Sequence, residues 1–505
     1  MPIQNVKIPL FAPAQQNVDE IQLKTFASKL IDGYIDEAGF INKRPGLASF
    51  VTLGSSKKVD GLYWWNEKSL LIAVSGGAAY KITAAGAVTS LGTGLATGTR
   101  PTFAISKPAG VDTLFIANGG NVFYTTGTTL TNLESDDTDV PDAVTHIVEL
   151  DSYLIVNSVG TGQFHFSTVL DPFTWSALDF GTAEGSPDDI NAIAVRGREL
   201  LLFGQRSIET YYNDGVTPFI RLQGGETASG ISAPYSIVEI QGTLYFLDDK
   251  RRFVRLVGRQ TEIISTPFDR TVQTLDTVAD AIASDVTVAG QSFYLITFPT
   301  ATRPDGSAQV GQTYVYDYRL DRWCEWAKWT GTEYGPFKYS SHAYSIQSGI
   351  NYVGSNTTDG KVYKLLRTTY QDDGSDIRTV INSGYFDHGS MTKKKSRRLM
   401  GRIKRGIGLD VTDLLDDTGD VLLDHLGDAM QDGVISTVSI KHRDETQTSY
   451  GGEITFDLGV TGDENFYFDI MQGGIYRARS YEIVNASNTP FIMGDMEEEV
   501  ELLTS

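Results

Sequence analysis

The sequence has little of several features on which other classes of protein depend. Cys324 is the single cysteine among 505 residues, which excludes an intrachain disulfide and a metal site built from several cysteines. There is no apolar run of about 18 residues, the length of a membrane-spanning helix, and residues 1–10 lack the charged and then apolar plan of a signal peptide. We therefore expect a chain that is not inserted into a membrane, is not directed to secretion and is stabilised by packing.

Basic residues are also scarce. The 42 Lys and Arg residues stand against 63 Asp and Glu residues, so the formal net charge is −21. Because an acidic surface repels phosphate backbones on average, a protein that reads nucleic-acid sequence is not expected. The simplest explanation of this negative net charge is that it keeps the protein soluble.

Residue combinations typical of catalysis are missing as well. No two histidines have the close helical spacing that places two imidazoles on one metal. The histidines are His146, His165, His342, His388, His425 and His442. No Gly-x-Ser-x-Gly elbow occurs, and Cys324 lies in an aromatic segment where burial is expected rather than nucleophilicity. We predict no catalytic residue, no cofactor and no enzyme activity.

Two clusters of aspartates have oxygen ligands close in sequence, as a calcium site would need. They are Asp136, Asp137 and Asp139, and Asp413, Asp416, Asp417 and Asp420. Neither follows the calcium-binding loop that has a glycine near its middle and a closing glutamate. We therefore expect solvated acidic turns and predict no metal site.

Residues that suit strands and tight turns are abundant, with 24 Tyr, 24 Phe and 51 Gly. Long helical periodicity is absent. Only Asp19–Asp36 and Pro267–Ala283 have apolar residues spaced along one helical face. The sequence predicts an all-β fold with two short helices.

A strand–turn–strand–turn–strand pattern recurs along the chain. It restarts near Val59, Pro101, Ala143, Ile190, Tyr235, Ser284 and His342. The intervals run from about 40 to just under 60 residues, the range of four-stranded propeller blades. Stacking such blades around an axis buries their apolar faces and leaves only short edges exposed. The pattern predicts a β-propeller of about seven blades, or six if the Ala143 or His342 unit is incomplete; a β-sandwich or several small β domains are the alternatives.

The predicted organisation has three parts. Residues 1–50 form an N-terminal arm, residues 51–390 the propeller, and residues 391–505 a small C-terminal β domain with a basic linker at its start. A strand from either end of the chain could close the ring. In the C-terminal part four segments are predicted as strands: Val434–Lys441, Glu453–Leu458, Phe466–Ile470 and Ala478–Val484.

One segment is basic in this acidic chain and is the candidate site. Its eight cations are Lys393, Lys394, Lys395, Arg397, Arg398, Arg402, Lys404 and Arg405. They could simply solvate a linker. Alternatively they contact an acidic neighbouring subunit or DNA, because dense like charge is costly unless countercharge lies near.

The order of several motifs resembles a known family. Arg206–Gly230, then Ser232–Ser236, then Leu244–Asp249 are similar to a blade of the packaged-DNA stabilisation proteins of short-tailed phages. Arg44–Leu47 resembles that family's start, and Arg477–Ile483 with Asn488–Phe491 and an acidic run resembles its closing strands. The resemblance covers nearly the whole length, although each motif alone is weak.

The resemblance implies a virion tail protein, a tail hub or nozzle that is made in the host cytoplasm. It implies a homo-oligomeric ring, expected as a hexamer, below the portal and its adaptor. That ring would close or line the DNA exit channel, stabilise the packaged DNA without reading its sequence, and carry the tail needle or tip and tailspikes or fibres. An acidic lumen would suit passing DNA, although the same charge could lie on the outer surface.

A propeller that binds or hydrolyses glycans is the alternative function. Sialidase-like blades repeat Ser-x-Asp-x-Gly-x-Thr-Trp, and the nearest string here, Ser449–Phe456, occurs once and lacks the aspartate. Relatives of the phage family often have a Ser-x-Asp-Gly-Gly-x-Thr hairpin at this place. This chain departs from that pattern and lacks the aspartate.

Overall fold

The computed structural model describes the chain except for residues 1–2, 11–28, 184, 186–187, 217, 266–268, 303–309, 405–411, 414–430, 433–435, 446, 448, 459–464 and 504–505. In the described residues the regular structure is almost entirely β, which confirms the predicted fold class. The described α-helix is α1 (Asp269–Thr274), and no helix in this part of the chain is long and apolar enough to cross a membrane.

The strands are numbered along the chain. Before the first repeat lie β1 (Ile3–Ile8), β2 (Lys29–Ile31), β3 (Gly33–Ile35), β4 (Ile41–Lys43) and β5 (Gly46–Thr52). The first five repeats contain β6 (Val59–Trp65), β7 (Leu70–Ser75), β8 (Ala78–Thr83), β9 (Val88–Thr93), β10 (Thr102–Ser106), β11 (Thr113–Ala117), β12 (Phe123–Thr125), β13 (Thr131–Asn132), β14 (Ile147–Leu150), β15 (Tyr153–Asn157), β16 (Gln163–Phe166), β17 (Phe180–Thr182), β18 (Ala192–Arg196), β19 (Glu199–Phe203), β20 (Ile208–Tyr212), β21 (Ile220–Thr227), β22 (Val238–Ile240), β23 (Thr243–Leu247), β24 (Phe253–Val257) and β25 (Gln260–Ile263).

The remaining strands run to the end of the chain. They are β26 (Ile282–Val288), β27 (Gln291–Thr302), β28 (Val310–Asp317), β29 (Arg322–Trp329), β30 (Tyr334–Pro336), β31 (Ser341–Ser345), β32 (Ile350–Gly354), β33 (Lys361–Leu366), β34 (Gln371–Asp372), β35 (Ser375–Asp376), β36 (Thr379–Asn382), β37 (Lys394–Lys404), β38 (Thr412–Asp413), β39 (Gln431–Asp432), β40 (Thr437–Asp444), β41 (Gly451–Asp457), β42 (Asn465–Tyr476), β43 (Arg479–Asn485) and β44 (Ile492–Leu502).

The chain divides into two compact units whose sequences interleave. The propeller unit consists of Ser49–Arg319 and Pro336–Leu365, and the second unit consists of Met1–Ala48, Leu320–Gly335 and Leu366–Ser505. The three-part division predicted from the sequence stays a prediction of domain organisation.

The propeller unit contains seven successive antiparallel sheets in its described residues. Five have four strands each: β6–β9, β10–β13, β14–β17, β18–β21 and β22–β25. The sixth contributes β26–β28 and the seventh β31–β33. The turns are encoded locally: Gln241 and Gly242, between β22 and β23, have φ of 50° and 77°, the paired positive angles of a type I′ hairpin turn.

Apolar side chains between consecutive sheets form the core of this unit. Ile72 of the first sheet and Ile116 of the second share one cluster. Phe203 of the fourth sheet meets Phe246 of the fifth edge to face, with ring centroids 5.3 Å apart. Burial of each such side chain contributes about 1.5–3 kcal/mol, so every blade depends on its neighbours.

The seventh sheet packs on the first and closes the ring. Val59 and Leu71 share a cluster with Tyr352 and Val362. Residues 49–52 of β5 lie beside β33, where the Phe50 ring is 5.4 Å from that of Tyr352. The strand that completes the seventh sheet therefore comes from the N-terminal side.

The first strands of six of the seven sheets border an axial cavity of about 590 Å³. Hydrogen bonds join different sheets beside it: the Tyr294 hydroxyl donates to the Ser236 carbonyl at 2.9 Å, and the Tyr339 and Ser284 hydroxyls are 2.6 Å apart. Each of these hydrogen bonds joins two consecutive sheets of the ring.

In its described residues the second unit contains two large sheets, besides the short strand pairs β34–β35 and β38–β39. In one the order is β3-β4-β44-β37-β42, with β1 also on β44; in the other, β2 lies between β29 and β36, and β43, β40 and β41 follow. The four predicted C-terminal strand segments overlap β40, β41, β42 and β43. Residues 434–435 of the first segment lie outside the described residues.

Both predicted helices need correction. Residues 19–28 lie outside the described part, but residues 29–31 and 33–35 form β2 and β3, because their backbone groups pair with β36 and β4. In Pro267–Ala283 the described helix is limited to Asp269–Thr274, and residues 282–283 begin β26.

Candidate interaction surface

The structure places the basic segment in a strand rather than in a linker. Lys394–Lys404 form β37, a central strand between β42 and β44. Leu399 and Ile403 are buried, while Arg397 and Arg402 are exposed. This alternation of apolar and basic positions puts most of the cations on one face of the sheet.

The strand opposite the cations is acidic. In the antiparallel register of β37 and β44, Lys395 lies opposite Glu501 and Arg398 opposite Glu499. Opposite charges at facing positions of two strands attract, so this register favours the pairing. The acidic run near the C-terminus was visible in the sequence, but nothing local indicated that it pairs with residues about a hundred positions earlier.

Two ion pairs anchor the exposed arginines. The Arg397 Nε atom is 2.8 Å from Glu501 Oε2, and the Arg398 Nε atom is 2.7 Å from Asp469 Oδ2. The hydrogen bond from Arg397 lowers the pKa of Glu501, and the bond to Asp469 raises the pKa of Arg398. Part of the basic charge is therefore balanced within the chain itself.

Lys394 has a different environment from its neighbours. Its side chain is buried, and Nζ donates to the carbonyl oxygens of Thr392 at 3.0 Å and Arg477 at 2.7 Å. Burial lowers the pKa of Lys394. This lysine holds the strand to its surroundings and cannot contact a partner.

The other predicted cations are spread along the same strand. Lys393 immediately precedes β37 and is exposed, and Lys404 ends the strand. The Arg402 guanidinium lies over the Phe40 ring, 5.7 Å from its centroid. Arg405 lies outside the described residues.

A buried polar cluster lies on the opposite face of the same sheet. The Tyr476 hydroxyl donates to Glu498 Oε2 at 2.7 Å, and His388 Nε2 is 2.8 Å from the Tyr476 hydroxyl. Burial opposes ionisation of Glu498, but hydrogen bonds from His388 and Tyr476 outweigh it and lower its pKa. This cluster could not be predicted from the sequence, because its members come from three separate segments.

The described residues contain no group of three or more His, Cys, Asp or Glu side chains placed to hold a metal ion. Asp137 Oδ2 accepts from the Trp175 amide at 2.8 Å, and Asp139 Oδ2 from the Ala177 amide at 3.2 Å. The first aspartate cluster thus binds backbone amides. Of the second, Asp416, Asp417 and Asp420 lie outside the described residues.

Comparison with known proteins gives a family match and several distant structural similarities. The family model described as bacteriophage P22 Gp10, beta-propeller, matches residues 30–370. No curated protein matches this chain. Among solved structures, PorZ of Porphyromonas gingivalis is 12% identical with a TM-score of 0.36, over 67% of this chain and 42% of PorZ.

Two other structures are similarly distant. The N-terminal domain of Nup159 is 10% identical with a TM-score of 0.39, over 67% of this chain and 99% of that domain. The extracellular domain of BT4673 from B. thetaiotaomicron is 10% identical with a TM-score of 0.41, over 91% of this chain and 62% of that one. Similarities this low give no information about the function of this chain.

The family model matches more than half of the chain. The chain therefore belongs to the phage packaged-DNA stabilisation family of bacteriophage P22 Gp10 and is a phage structural protein with a β-propeller.

Proposed function

We propose that this chain assembles as a homo-oligomeric ring, expected as a hexamer, below the portal and adaptor of a short-tailed phage. The ring closes or lines the DNA exit channel and carries the tail needle or tip. The observation that carries this proposal is the family match over residues 30–370, because that range includes all seven sheets of the closed propeller.

The size of the axial cavity supports a channel built between copies. The cavity measures about 590 Å³. A sphere of this volume is about 10 Å across, whereas the major groove of B-DNA alone is about 12 Å wide, so a duplex does not fit the cavity. DNA would then pass along surfaces shared by several copies, and a net charge of −21 supports passage without adhesion.

The charged face of β37 supports a protein neighbour rather than DNA. Asp469, Glu499 and Glu501 alternate with the arginines, so the face presents mixed charge. Duplex DNA is bound by surfaces on which Lys and Arg dominate. A partner with its own mixed charges, such as the adaptor or another copy, suits this face better.

The test is made on particles assembled without this chain. Such particles should fill with DNA and then lose it, and adding purified protein before the loss should preserve the DNA. Images of the restored particles should show a ring below the adaptor. DNA retained at wild-type levels in particles lacking the chain would contradict the stabilising role.

A further inference from the structure

An arginine without a carboxylate partner lines the axial cavity of the propeller unit. Arg100 precedes β10, and its Nη1 atom donates to the Ser340 carbonyl oxygen at 2.7 Å. The Tyr339 hydroxyl is a second hydrogen-bond partner of this guanidinium, and the phenol of Tyr235 also lies near it. In the described residues no ion pair joins this guanidinium to an acidic side chain.

Arg44 in the second unit shows what a buried guanidinium ordinarily requires. It pairs with two carboxylates, those of Asp32 and Asp372. Removing a charge from water is energetically unfavourable unless an opposite charge lies beside it. Arginine stays protonated in proteins, so it cannot become neutral instead. Burial lowers the pKa of Arg100, which expresses the same cost. Arg100 is half-buried, so the axial cavity contains a positive charge that no carboxylate balances and that has N–H donors beyond those used by Ser340 and Tyr339.

The walls around this charge are mainly aromatic and aliphatic. Tyr63 stacks on Phe103 with ring centroids 5.2 Å apart, and His146 stacks on Tyr235 at 4.9 Å. Burial lowers the pKa of His146 to about 4, so this imidazole is neutral near pH 7 and adds no second cation. A cavity of this volume that combines apolar walls with a few convergent polar groups is typical of small-molecule sites.

Two glutamates restrict the ligand to a small charge. Glu149 and Glu239 also line the cavity. Glu149 lies three residues beyond His146, which is about 10 Å along a strand, so its carboxylate is well removed from the Arg100 end. Both glutamates repel additional negative charge in the cavity, whereas a single carboxylate at Arg100 stays away from Glu149.

We propose that the axial cavity binds a small organic monocarboxylate. The carboxylate of this ligand accepts hydrogen bonds from N–H groups of Arg100. The apolar part of the ligand lies between the Tyr63–Phe103 and His146–Tyr235 ring pairs. The planar guanidinium matches a carboxylate through two parallel hydrogen bonds, which a spherical ion does not exploit. This inference depends on the propeller itself and not on the proposed role in the tail.

Calorimetric titration of the full chain tests the proposal with four probes: benzoate, its neutral analogue benzamide, phenyl phosphate and inorganic phosphate. Benzoate should bind at one site per chain with a Kd at or below about 1 mM. Benzamide should bind at least about tenfold more weakly, because it forms no charge-assisted hydrogen bond. Tight binding of either phosphate instead would overturn the assignment to a monocarboxylate.

Two variants locate the site. Arg100→Met should weaken benzoate at least about tenfold and leave benzamide unchanged, whereas Arg198→Met, which removes an exposed arginine of the same unit, should change neither. Because Arg100 also contacts Ser340, its variant could perturb the fold. Ala194→Phe, at a partly exposed lining position, fills the cavity instead and should abolish binding while thermal unfolding is unchanged. The absence of saturable benzoate binding, or binding unaffected in both cavity variants, would overturn the proposal.

Discussion

Arg44 binds both carboxylate oxygens of Asp372, which lies 328 residues further along the chain, at 2.9 and 2.6 Å. Its Nε atom also donates to Asp32 Oδ1 at 2.7 Å. All three side chains are buried. One guanidinium thus joins the N-terminal segment of the second unit to the segment that follows the last propeller sheet.

Replacing this arginine should destabilise the protein strongly. Arg44→Met leaves the carboxylates of Asp32 and Asp372 buried without their partner, and we expect a loss of about 3–5 kcal/mol in the free energy of unfolding. Urea denaturation measures the effect. The exposed Arg398→Met is the matched control and should leave the urea midpoint unchanged; equal midpoints for the two variants would contradict the structural role of Arg44.

Lys43 predicts a pH dependence of stability. Its Nζ atom is buried among neutral acceptors, the Asn485 side-chain oxygen at 2.9 Å and the Ser487 carbonyl at 2.6 Å. Burial lowers its pKa from 10.5 to about 7. Between about pH 7 and pH 10.5, Lys43 is protonated in the unfolded chain but not in the folded chain. The contribution of Lys43 to the free energy of unfolding should therefore rise with pH, by at most about 1.4 kcal/mol per pH unit.

Two lysine variants test whether Lys43 makes the free energy of unfolding rise with pH. Lys43→Met should flatten the profile of unfolding free energy between pH 7 and 10.5 relative to the wild type. Lys393→Met, which removes an exposed lysine of the same unit, should leave its slope as in the wild type. A wild-type slope in Lys43→Met would show that this lysine is not held deprotonated by the fold.

The charged face of β37 predicts salt-dependent assembly. Changing Lys395, Arg397, Arg398 and Arg402 together to serine should slow joining to particles, and wild-type association should weaken as salt rises, because exposed charges are screened beyond about 10 Å at 0.1 M. Lys394 is left intact because it is buried and holds the strand. A variant with Lys57, Arg198, Lys250 and Arg259 changed to serine loses the same charge from the propeller unit and should assemble normally.

The outcomes separate the possible partners of this face. Competition by free duplex DNA, lost in the β37 variant, would indicate DNA contact instead of a protein neighbour. Identical, salt-independent assembly of the wild type and both variants would show that the face has no role in assembly.

Gly230 should not tolerate a side chain. A Cβ atom there would lie 2.1 Å from the Gln205 carbonyl oxygen and 2.2 Å from its carbon, so the backbone itself would have to move. Gly230→Ala should destabilise the propeller unit by about 1–3 kcal/mol, as overpacking does. Gly451→Ala, where no atom lies within 4 Å, is the control in the same thermal unfolding assay. Equal unfolding temperatures would contradict the close approach of these two segments.

The recurring hairpins could be predicted because their signals are local. Alternation of apolar residues sets which face of each strand is buried, and a pair such as Gln241-Gly242 adopts its turn from its own backbone preferences. Seven such units in a chain of this length indicated a ring before any contact was known. The family resemblance, too, depended on short local motifs and on their order along the chain.

Tertiary structure decided the features that join distant segments. Lys29–Ile31 is a strand because it pairs with β36, although its sequence suits a helical stripe. The basic segment is a central strand because an acidic strand about a hundred residues later pairs with it. Arg100 lines a cavity because six sheets bring their first strands to one axis. Residue spacing in a sequence indicates neighbours along one strand, whereas pairing between distant strands depends on which closed arrangement buries the most apolar surface.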